Sequence, residues 1–350
     1  MAHPRVTIVG ATGAVGKVAL AVLEERAFPM ERLRLTASPR SIGRKVTFKG
    51  EELTVEATAP EVFAESDIAF ISANDDVSRD MALAAKERGC VVIDDSGVWR
   101  MDPDVPLVVP EINAGDVDAH AGILSIPNCS TTPLVMVLDA LRQASPIRRV
   151  IAATYQSVTG TGTAALAELE EQSRDYFAGN EARTDQYPHP IAFNLLPHVG
   201  SFRDGGHTSE EMKMLNESRK ILHEPDLALS ATCVRVPVRV CHSEAVNIEF
   251  ERPISPGEAR QLLAGYHGIA VVDDPGTNAY PMPLDGEGRD EVFVGRIRED
   301  VALPNGIALW LVSDNLRKGA ATNAVQIAEE VVARGLWRRG KARSTAGATA

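Results

Sequence analysis

The stretch Val6-Thr-Ile-Val-Gly10-Ala-Thr-Gly13-Ala-Val-Gly16 joins an apolar strand to the start of a helix through a glycine-rich turn. Its Gly-x-x-Gly-x-x-Gly spacing is a variant of the fingerprint of dinucleotide-binding α/β folds. Glycines at such a turn let the backbone approach a pyrophosphate, which the free N–H groups of the following helix then bind. A glycine-rich turn can also serve tight packing alone. The interpretation of this turn as a dinucleotide site therefore depends on the pattern of strands and helices around it.

The elements that flank this turn alternate between strand and helix. We predict strands at residues 6–9, 33–37, 68–71 and 91–93, and helices at residues 15–26 and 79–88. The strands are continuous apolar runs, which is typical of parallel strands covered on both faces. The sequence therefore predicts an α/β fold that begins with a Rossmann-like, doubly wound parallel sheet.

The pattern changes after Pro133. A helix at 134–143 precedes longer, often alternating strands at 149–155, 231–240, 245–250 and 292–297, which favours a second α+β domain with a mixed, largely antiparallel sheet. Apolar residues at helical spacing predict a long closing helix within 319–336. We therefore predict a cofactor-binding domain at 1–130 completed by 319–338, a catalytic domain at 131–318 and a disordered tail at 339–350.

Composition excludes several classes of partner. The 350 residues carry a net charge of -12, which argues against nucleic acid or an anionic membrane as a bulk electrostatic partner. The residues before the first strand do not have the pattern of an export leader, the apolar runs are too short to span a bilayer, and the 4 cysteines lack metal-ligand spacing. We expect a cytoplasmic protein without a metal, whose partners are a small-molecule substrate and another copy of itself.

The end of the second strand bears on the choice of cofactor. An acid there would bind the ribose 2′-hydroxyl of NAD, whereas an Arg would accept the 2′-phosphate of NADP. The sequence from Thr36 to Lys45 has no acid but contains Arg40, Arg44 and Lys45. This predicts NADP, although the three basic residues could also be a solvated loop.

A candidate nucleophile lies in Ile126-Pro-Asn128-Cys129-Ser-Thr-Thr-Pro133. Cys129 comes immediately before the predicted helix, and Pro133 suits a first helical turn. The helix dipole and unpaired N–H groups favour the reactive thiolate. A lone cysteine is often a small buried hydrophobe, but the polar neighbours of Cys129 argue against an apolar core position.

Two further segments carry candidate site residues. In the predicted strand at 231–240, alternation would send Arg235 and Arg239 to one face, and His242 would lie just past the strand's end. A His within reach of a Cys is a recurring means of activating a nucleophile, although His242 could also be structural. Glu210 and Lys213 share a helix face behind a predicted capping box of Thr208 and Glu211, and could equally be a surface ion pair.

Six motifs in order resemble those of aspartate-semialdehyde dehydrogenases, over about residues 5 to 338, and look closer to the bacterial than to the archaeal enzymes. They are the Gly10–Gly16 turn, Pro127-Asn-Cys-Ser-Thr131, Tyr155-Gln-Ser-Val-Thr-Gly-Thr-Gly162, Ser209-Glu-Glu-Met-Lys213, Arg235-Val-Pro-Val238 with His242, and Asp314-Asn-Leu-Arg-Lys-Gly-Ala-Ala321. The resemblance implies reductive dephosphorylation of 4-phospho-L-aspartate by NADPH to L-aspartate 4-semialdehyde. That step leads toward lysine (through diaminopimelate), threonine, methionine and isoleucine.

The resemblance also implies a role for each matching residue. Cys129 forms the acyl thioester, His242 is the acid/base and Gln156 helps to hold the substrate and the thioester carbonyl. Arg235 and Glu210 bind the substrate's α-carboxylate and α-ammonium, and Arg100, Lys213 and Asn128 bind phosphate. The cofactor residues are Gly10, Thr12, Gly13, Ala14, Val15, Ser38, Arg40 and Ser41, with Thr159, Gly160 and Asn315 near the nicotinamide. A homodimer joined through the second domain is implied as well.

Three alternative functions compete with this interpretation. N-acetyl-γ-glutamyl-phosphate reductase shares the thioester mechanism, but its acetylated substrate nitrogen offers no ammonium to Glu210. Glyceraldehyde-3-phosphate dehydrogenase has different surroundings for its cysteine. In an NADP-binding sensor or scaffold, Cys129 and His242 would be packing residues.

Overall fold

The computed structural model describes residues 3–338, and all structural statements below concern those residues. The described residues separate into two compact units, 3–127 with 320–338, and Asn128–Gly319. No helix in the described range combines the length and apolar character needed to cross a membrane. The predicted tail at 339–350 lies outside the described residues.

The helices and strands follow one another through both units. In chain order they are β1 Arg5–Val9, α1 Ala14–Glu25, β2 Arg32–Ala37, β3 Lys45–Phe48, β4 Glu51–Thr54, β5 Glu56–Ala57, β6 Ile68–Ile71, α2 Asp75–Glu87, β7 Val91–Asp94, α3 Pro110–Asn113, β8 Ile123–Ser125, α4 Thr131–Arg142, β9 Ile147–Gln156, α5 Thr163–Ala178, α6 Ser209–Leu222, β10 Ala228–Arg235, β11 His242–Phe250, α7 Pro256–Gly265, β12 Ile269–Val271, α8 Pro283–Gly286, β13 Val292–Glu299, β14 Gly306–Ser313 and α9 Thr322–Ala333.

The first unit is built on a parallel sheet with strand order β5-β2-β1-β6-β7-β8. Alternate residues of its strands belong to two separate apolar cores: Ile68 and Phe70 pack with α1 and α9, whereas Ala69 and Ile71 pack with α2. Because both faces are covered, the strands have the continuous apolar character seen in the sequence. The predicted doubly wound sheet is confirmed.

The second unit is built on a mixed sheet with strand order β10-β9-β11-β14-β13-β12. Strand β9 pairs parallel with β10 and antiparallel with β11, and β11 pairs antiparallel with β14. The carboxyl ends of β9, β10 and β14 therefore meet the amino end of β11 at one edge. Helices α4 and α6 lie in this unit, α6 against β10.

One predicted strand extends past the end of the observed strand, and this difference changes the positions expected for Arg239 and His242. The predicted strand at 231–240 ends at Arg235, because Pro237 has no N–H for a ladder and the Val238 N–H bonds the carbonyl of Val236 instead. Arg239 therefore leaves the face of Arg235, and its exposed guanidinium pairs with Glu170. His242 does not follow that strand but opens β11, after Cys241 at φ +72°.

Other boundaries differ modestly. The helix predicted at 134–143 begins earlier, at Thr131, and the helix predicted at 79–88 begins at Asp75 because Asn74 caps it. The predicted closing helix at 319–336 is divided into a π turn at Arg317–Ala321, α9 and a short 3-10 turn. Strands β3, β4, β5, β8, β12 and β14 and helices α3, α5, α7 and α8 were not predicted.

Candidate active site

Cys129 is held just ahead of α4 by the residue that precedes it. The backbone carbonyl of Asn128 accepts the Thr132 N–H at 3.0 Å, and its side-chain Oδ1 accepts the Ser130 N–H at 3.0 Å. These bonds wind the chain into the first turn of the helix. The half-buried Cys129 Sγ lies 3.3 Å from Nε2 of His242.

His242 is oriented by the loop that follows β9. The Ser157 backbone N–H donates to Nδ1 at 3.1 Å, so the neutral ring carries its proton on Nε2, facing the sulfur. Burial, followed by the positive charge of Arg235, lowers the pKa of His242 to about 3. His242 is therefore neutral at physiological pH and presents an Nε2–H to Cys129.

The other cysteines have different surroundings. Cys90, Cys233 and Cys241 are buried, and burial raises the pKa of the Cys233 and Cys241 thiols. None of the four cysteines forms a disulfide. Cys129, by contrast, is half-buried at the amino end of α4, with its sulfur against the His242 ring.

Glu210 is the centre of a buried polar cluster. Its Oε1 accepts from Asn128 Nδ2 at 2.8 Å and from Gln156 Nε2 at 3.0 Å, and its Oε2 accepts from Lys213 Nζ at 3.2 Å. Burial alone would raise its pKa, but the charge of Lys213 and these hydrogen bonds lower the pKa of Glu210 to about 2. The carboxylate stays ionised at the site. The predicted capping box of Thr208 and Glu211 forms at the start of α6.

Gln156 is the last residue of β9, and its amide has a fixed orientation. Nε2 donates to Ser130 Oγ at 2.7 Å as well as to Glu210, while Thr154 Oγ1 donates to Oε1 at 3.4 Å. The amide nitrogen consequently faces the turn that carries Cys129.

Arg235 ends β10 with its guanidinium buried. Nη1 donates to the Ser157 carbonyl at 2.7 Å, and the guanidinium carbon lies 6.0 Å from the centre of the Tyr187 ring. A Cβ at Gly160 would lie 2.9 Å from Arg235 Nη1 and 3.2 Å from the His242 ring. The absence of a side chain at Gly160 therefore keeps open the space between these two residues.

Asn315 holds this loop in place from the end of β14. Its Oδ1 accepts the Cys241 N–H at 3.0 Å and the Ser157 hydroxyl at 3.1 Å, and its Nδ2 donates to Thr159 Oγ1 at 3.2 Å. Asn315 thus joins the loop after β9 to the start of β11. The residues matched to a nicotinamide site, Thr159, Gly160 and Asn315, lie together in the second unit.

The glycine turn between β1 and α1 is constrained by close approaches of the backbone. Gly10 adopts φ +84°, and a Cβ there would lie 2.0 Å from the Ser72 carbonyl oxygen, so the turn requires glycine. No side chain caps α1 at Gly13, which leaves the first N–H groups of the helix available to an anion, including those of Ala14 and Val15.

The loop after β2 lies against this turn. Thr12 Oγ1 donates to Ser41 Oγ at 3.0 Å, and Ser38 and Arg40 are exposed in the same loop. Arg44 is also exposed, whereas Lys45 lies on β3 and contacts Thr54 and Glu52 of the β3–β4 hairpin. Arg40 and Arg44 remain as candidates for binding a 2′-phosphate.

Arg100 belongs to the first unit and is buried. Its Nη2 donates to the Asp95 carbonyl at 2.8 Å, just beyond the end of β7. Burial, partly opposed by Arg100, raises the pKa of the Asp95 carboxyl to about 6. The other two predicted phosphate ligands, Lys213 and Asn128, lie in the second unit beside Glu210.

Two residues that organise this site were missed from the sequence. Ser157 contacts His242, Arg235 and Asn315, and the buried Glu217 accepts the Asn128 N–H at 2.7 Å. Ser157 lies inside the recognised motif at 155–162, which was a usable signal. Glu217 had none, because an acid in a helix is ordinarily a solvated surface residue.

Family models match both parts of the chain. Residues 5–120 match the NAD binding domain of semialdehyde dehydrogenases, and residues 138–318 match their dimerisation domain. The chain thus belongs to the semialdehyde dehydrogenases, a class of oxidoreductases with an NAD(P)-binding domain.

Individual relatives define the family more narrowly. The aspartate-semialdehyde dehydrogenase of Aquifex aeolicus is 51% identical over 336 residues, covering 95% of this chain and 99% of the relative. The crystal structure of aspartate semialdehyde dehydrogenase II from Vibrio cholerae complexed with ASA superposes with a TM-score of 0.92 at 41% identity, covering 95% and 99% of the two chains. The chain belongs to the aspartate-semialdehyde dehydrogenase family.

A more distant solved structure includes a cofactor. The aspartate semialdehyde dehydrogenase from Candida albicans, solved with NADP, gives a TM-score of 0.74 at 26% identity and covers 95% of this chain and 99% of its own.

Proposed function

We propose that this oxidoreductase reduces 4-phospho-L-aspartate to L-aspartate 4-semialdehyde with NADPH, through an acyl thioester on Cys129. The observation that carries the proposal is the 3.3 Å contact between Cys129 Sγ and His242 Nε2, at the edge where Arg235, Gln156 and Glu210 also lie. The names of the relatives support the choice of substrate.

The first step forms the thioester. The Cys129 sulfur attacks the acyl carbon of the acyl phosphate, so a C–S bond forms while the C–O bond to the phosphoryl group breaks and phosphate leaves. An Nε2–H at 3.3 Å stabilises the thiolate before attack. Lys213, Arg100 and Asn128 are the proposed phosphate ligands, and their donors offset the charge of the leaving group.

The second step reduces the thioester. NADPH, when bound, supplies the hydride that is added to the thioester carbon. His242 Nε2, the proposed acid/base, stabilises the oxygen on which negative charge develops, because its Nδ1 is occupied by the Ser157 N–H. Gln156 Nε2 donates to Ser130 Oγ and to Glu210 Oε1, so it can serve as a second donor to this oxygen only by exchanging one of those two hydrogen bonds. Collapse of the hemithioacetal breaks the C–S bond and releases the aldehyde and the Cys129 thiolate.

Substrate recognition rests on two opposite charges. The planar guanidinium of Arg235 suits bidentate binding of the α-carboxylate, and its orientation is fixed by the Ser157 carbonyl. The ionised Glu210 suits the α-ammonium, because its pKa of about 2 leaves the carboxylate charged. An acetylated nitrogen carries no positive charge to pair with Glu210, which disfavours the N-acetyl-γ-glutamyl-phosphate alternative.

The first unit is the proposed NADP site. The uncapped amino end of α1 suits the pyrophosphate, with Gly10, Thr12, Gly13, Ala14 and Val15 around it. Ser38, Arg40 and Ser41 come from the loop after β2, where the sequence has no acid that would favour NAD. The assignment of cofactor binding to residues 1–130 with 319–338, and of catalysis and dimerisation to 131–318, is part of this proposal.

We also propose a homodimer in the cytoplasm. The sheet face opposite Gln156 presents the exposed Ile151 and Tyr155 of β9, and the Tyr155 ring lies 5.3 Å from that of Trp310. An apolar face on a domain matched to a dimerisation model suits a second copy of the chain. Light scattering is expected to give twice the 37.6 kDa mass of the chain, and a single-chain mass would refute the dimer.

The test is a substrate-dependent NADP reduction assay run in the reverse direction. Purified protein with L-aspartate 4-semialdehyde and phosphate, or arsenate, is expected to reduce NADP, and N-acetyl-glutamate semialdehyde is expected to be a poor substrate. Absence of reduction with the aspartate compound would refute the proposed reaction. Full activity in Cys129→Ala would refute the covalent mechanism.

A further inference from the structure

Helix α6 presents a line of three charged residues to the site, of which the third has no assigned role. Glu210, Lys213 and Glu217 occur at i, i+3 and i+7, a spacing that places them on one face of a helix. Glu217 is 1% exposed, although an acid is rarely so deeply buried without a specific partner. Its Oε2 accepts the backbone N–H of Asn128 at 2.7 Å, a short distance typical of a charge-assisted hydrogen bond.

The contact completes the anchoring of the residue that precedes Cys129. The side-chain nitrogen of Asn128 donates to Glu210, its side-chain oxygen accepts from Ser130, and its carbonyl accepts from Thr132. The backbone N–H is the remaining polar group, and Glu217 takes it. All four polar atoms of Asn128 are therefore bonded, two of them to carboxylates of α6.

We propose that Glu217 is a positioning residue that fixes the Cys129 sulfur relative to the substrate. The proposal rests on the proposed function, in which Cys129 is the nucleophile and Glu210 binds the substrate. Because Glu210 and Glu217 project from the same helix, the substrate's binding group and the backbone next to the nucleophile share one rigid support. A shift of that backbone would change the distance between the sulfur and the acyl carbon without removing either ligand of the substrate's α-carboxylate and α-ammonium groups.

The predicted kinetic effect follows because Glu217 positions the nucleophile, whereas other residues bind the substrate. Misplacement of a reacting atom by about 1 Å can lower a rate by roughly 100-fold. Loss of the Glu217 acceptor should therefore lower kcat for aspartate semialdehyde oxidation about 10- to 100-fold, whereas the KM should change little because Arg235 and Glu210 remain.

The test uses the full chain with three substitutions. Glu217→Met keeps the length and volume of the side chain but removes the oxygen acceptors. Glu217→Gln keeps one oxygen that can accept the Asn128 N–H. Ser218→Ala is the matched control, since Ser218 is also fully buried on α6 and its hydroxyl makes no hydrogen bond among the described residues.

Two measurements distinguish positioning from a general loss of structure. We expect Glu217→Met to show the fall in kcat at near-constant KM, Glu217→Gln to recover most of the rate, and Ser218→Ala to match the parent. Hydrogen exchange at the Asn128 amide should be faster in Glu217→Met alone. Should Glu217→Met fail to fold, Glu217→Asp, whose oxygens are withdrawn by one methylene, is expected to give the same fall in kcat.

Parent kcat in Glu217→Met, an effect on KM alone, or equal losses in the Met and Gln variants would each overturn the positioning role. These outcomes differ from failure of the proposed function, which would appear as an inactive parent or as an active Cys129→Ala variant.

Discussion

Replacement of Arg235 by Lys tests whether substrate binding needs the shape of the guanidinium or only its charge. In the structure one nitrogen, Nη1, donates to the Ser157 carbonyl at 2.7 Å, which leaves the remaining donors of the planar group for a carboxylate. A lysine ammonium is a point charge that cannot hold the loop carbonyl and both carboxylate oxygens in one plane. The substitution keeps the charge beside His242 and so leaves the electrostatics of that ring largely unchanged.

The expected magnitude comes from the hydrogen bonds lost. A hydrogen bond to a charged group contributes about 1.5 to 3 kcal/mol. Loss of one such bond to the substrate carboxylate corresponds to a roughly 10- to 150-fold lower kcat/KM for aspartate semialdehyde. The bond is present in the bound substrate and in the transition state alike, so the KM should rise more than kcat falls.

Steady-state NADP reduction at varied semialdehyde concentration measures this change. Arg239→Lys is the matched control, because Arg239 lies on the same segment but is exposed and pairs with Glu170 at the surface. We expect Arg239→Lys to behave like the parent. Kinetics within about threefold of the parent in a folded Arg235→Lys variant would remove Arg235 from the substrate site.

Two further predictions concern protonation and cofactor choice. His242 has a folded pKa of about 3, below its reference value of 6.5, so the stability from its neutral ring is complete above pH 6.5 and falls by about 1.4 kcal/mol per unit as the pH drops toward 3. The Tm of His242→Gln should therefore fall less than the Tm of the parent between pH 7 and pH 5. Equal falls in Tm would contradict a lowered pKa for His242. Arg40→Ala should lower the ratio of kcat/KM for NADP over NAD about tenfold, as expected for one lost phosphate contact; an unchanged ratio would mean that Arg40 does not bind the 2′-phosphate.

The fold was predictable to the extent that it depends on local pattern. The turn at Gly10 requires positive φ, and the apolar strands around it show that both faces of the sheet are covered. Both features are visible in the order of residues. The capping box at Thr208 was equally local and formed as predicted.

The position of His242 was predicted wrongly because the sequence pattern of a strand extends past the point where the strand ends. Alternation of apolar residues runs on past Arg235, but Pro237 removes a ladder hydrogen bond and the chain turns before His242. A proline inside an apparent strand indicates that the strand ends there, so Pro237 was a signal that His242 belongs to a separate strand. Strand β14 was not predicted, because it is a continuous short apolar run without the alternation that marks β9 and β10 of the same sheet.

For the site too, the sequence motifs identified residues but did not reveal which of them are in contact. The motifs pointed to Cys129 and His242, but they gave no distance between two residues that are 113 positions apart in the chain. Glu217 and Asn128 are separated by 89 positions, and nothing in the composition of α6 marks this acid as buried. Such contacts follow from how strands and helices pack, which a single sequence does not determine without the fold.

The thioester on Cys129 is the central claim, and a burst experiment tests it most directly. With semialdehyde and NADP but no phosphate, hydride transfer can proceed while the acyl group stays on the sulfur. We predict rapid formation of one NADPH per subunit that then stops, resumption when phosphate is added, and no burst in Cys129→Ala. A stoichiometric burst in the alanine variant, or steady turnover of the parent without phosphate, would contradict the account.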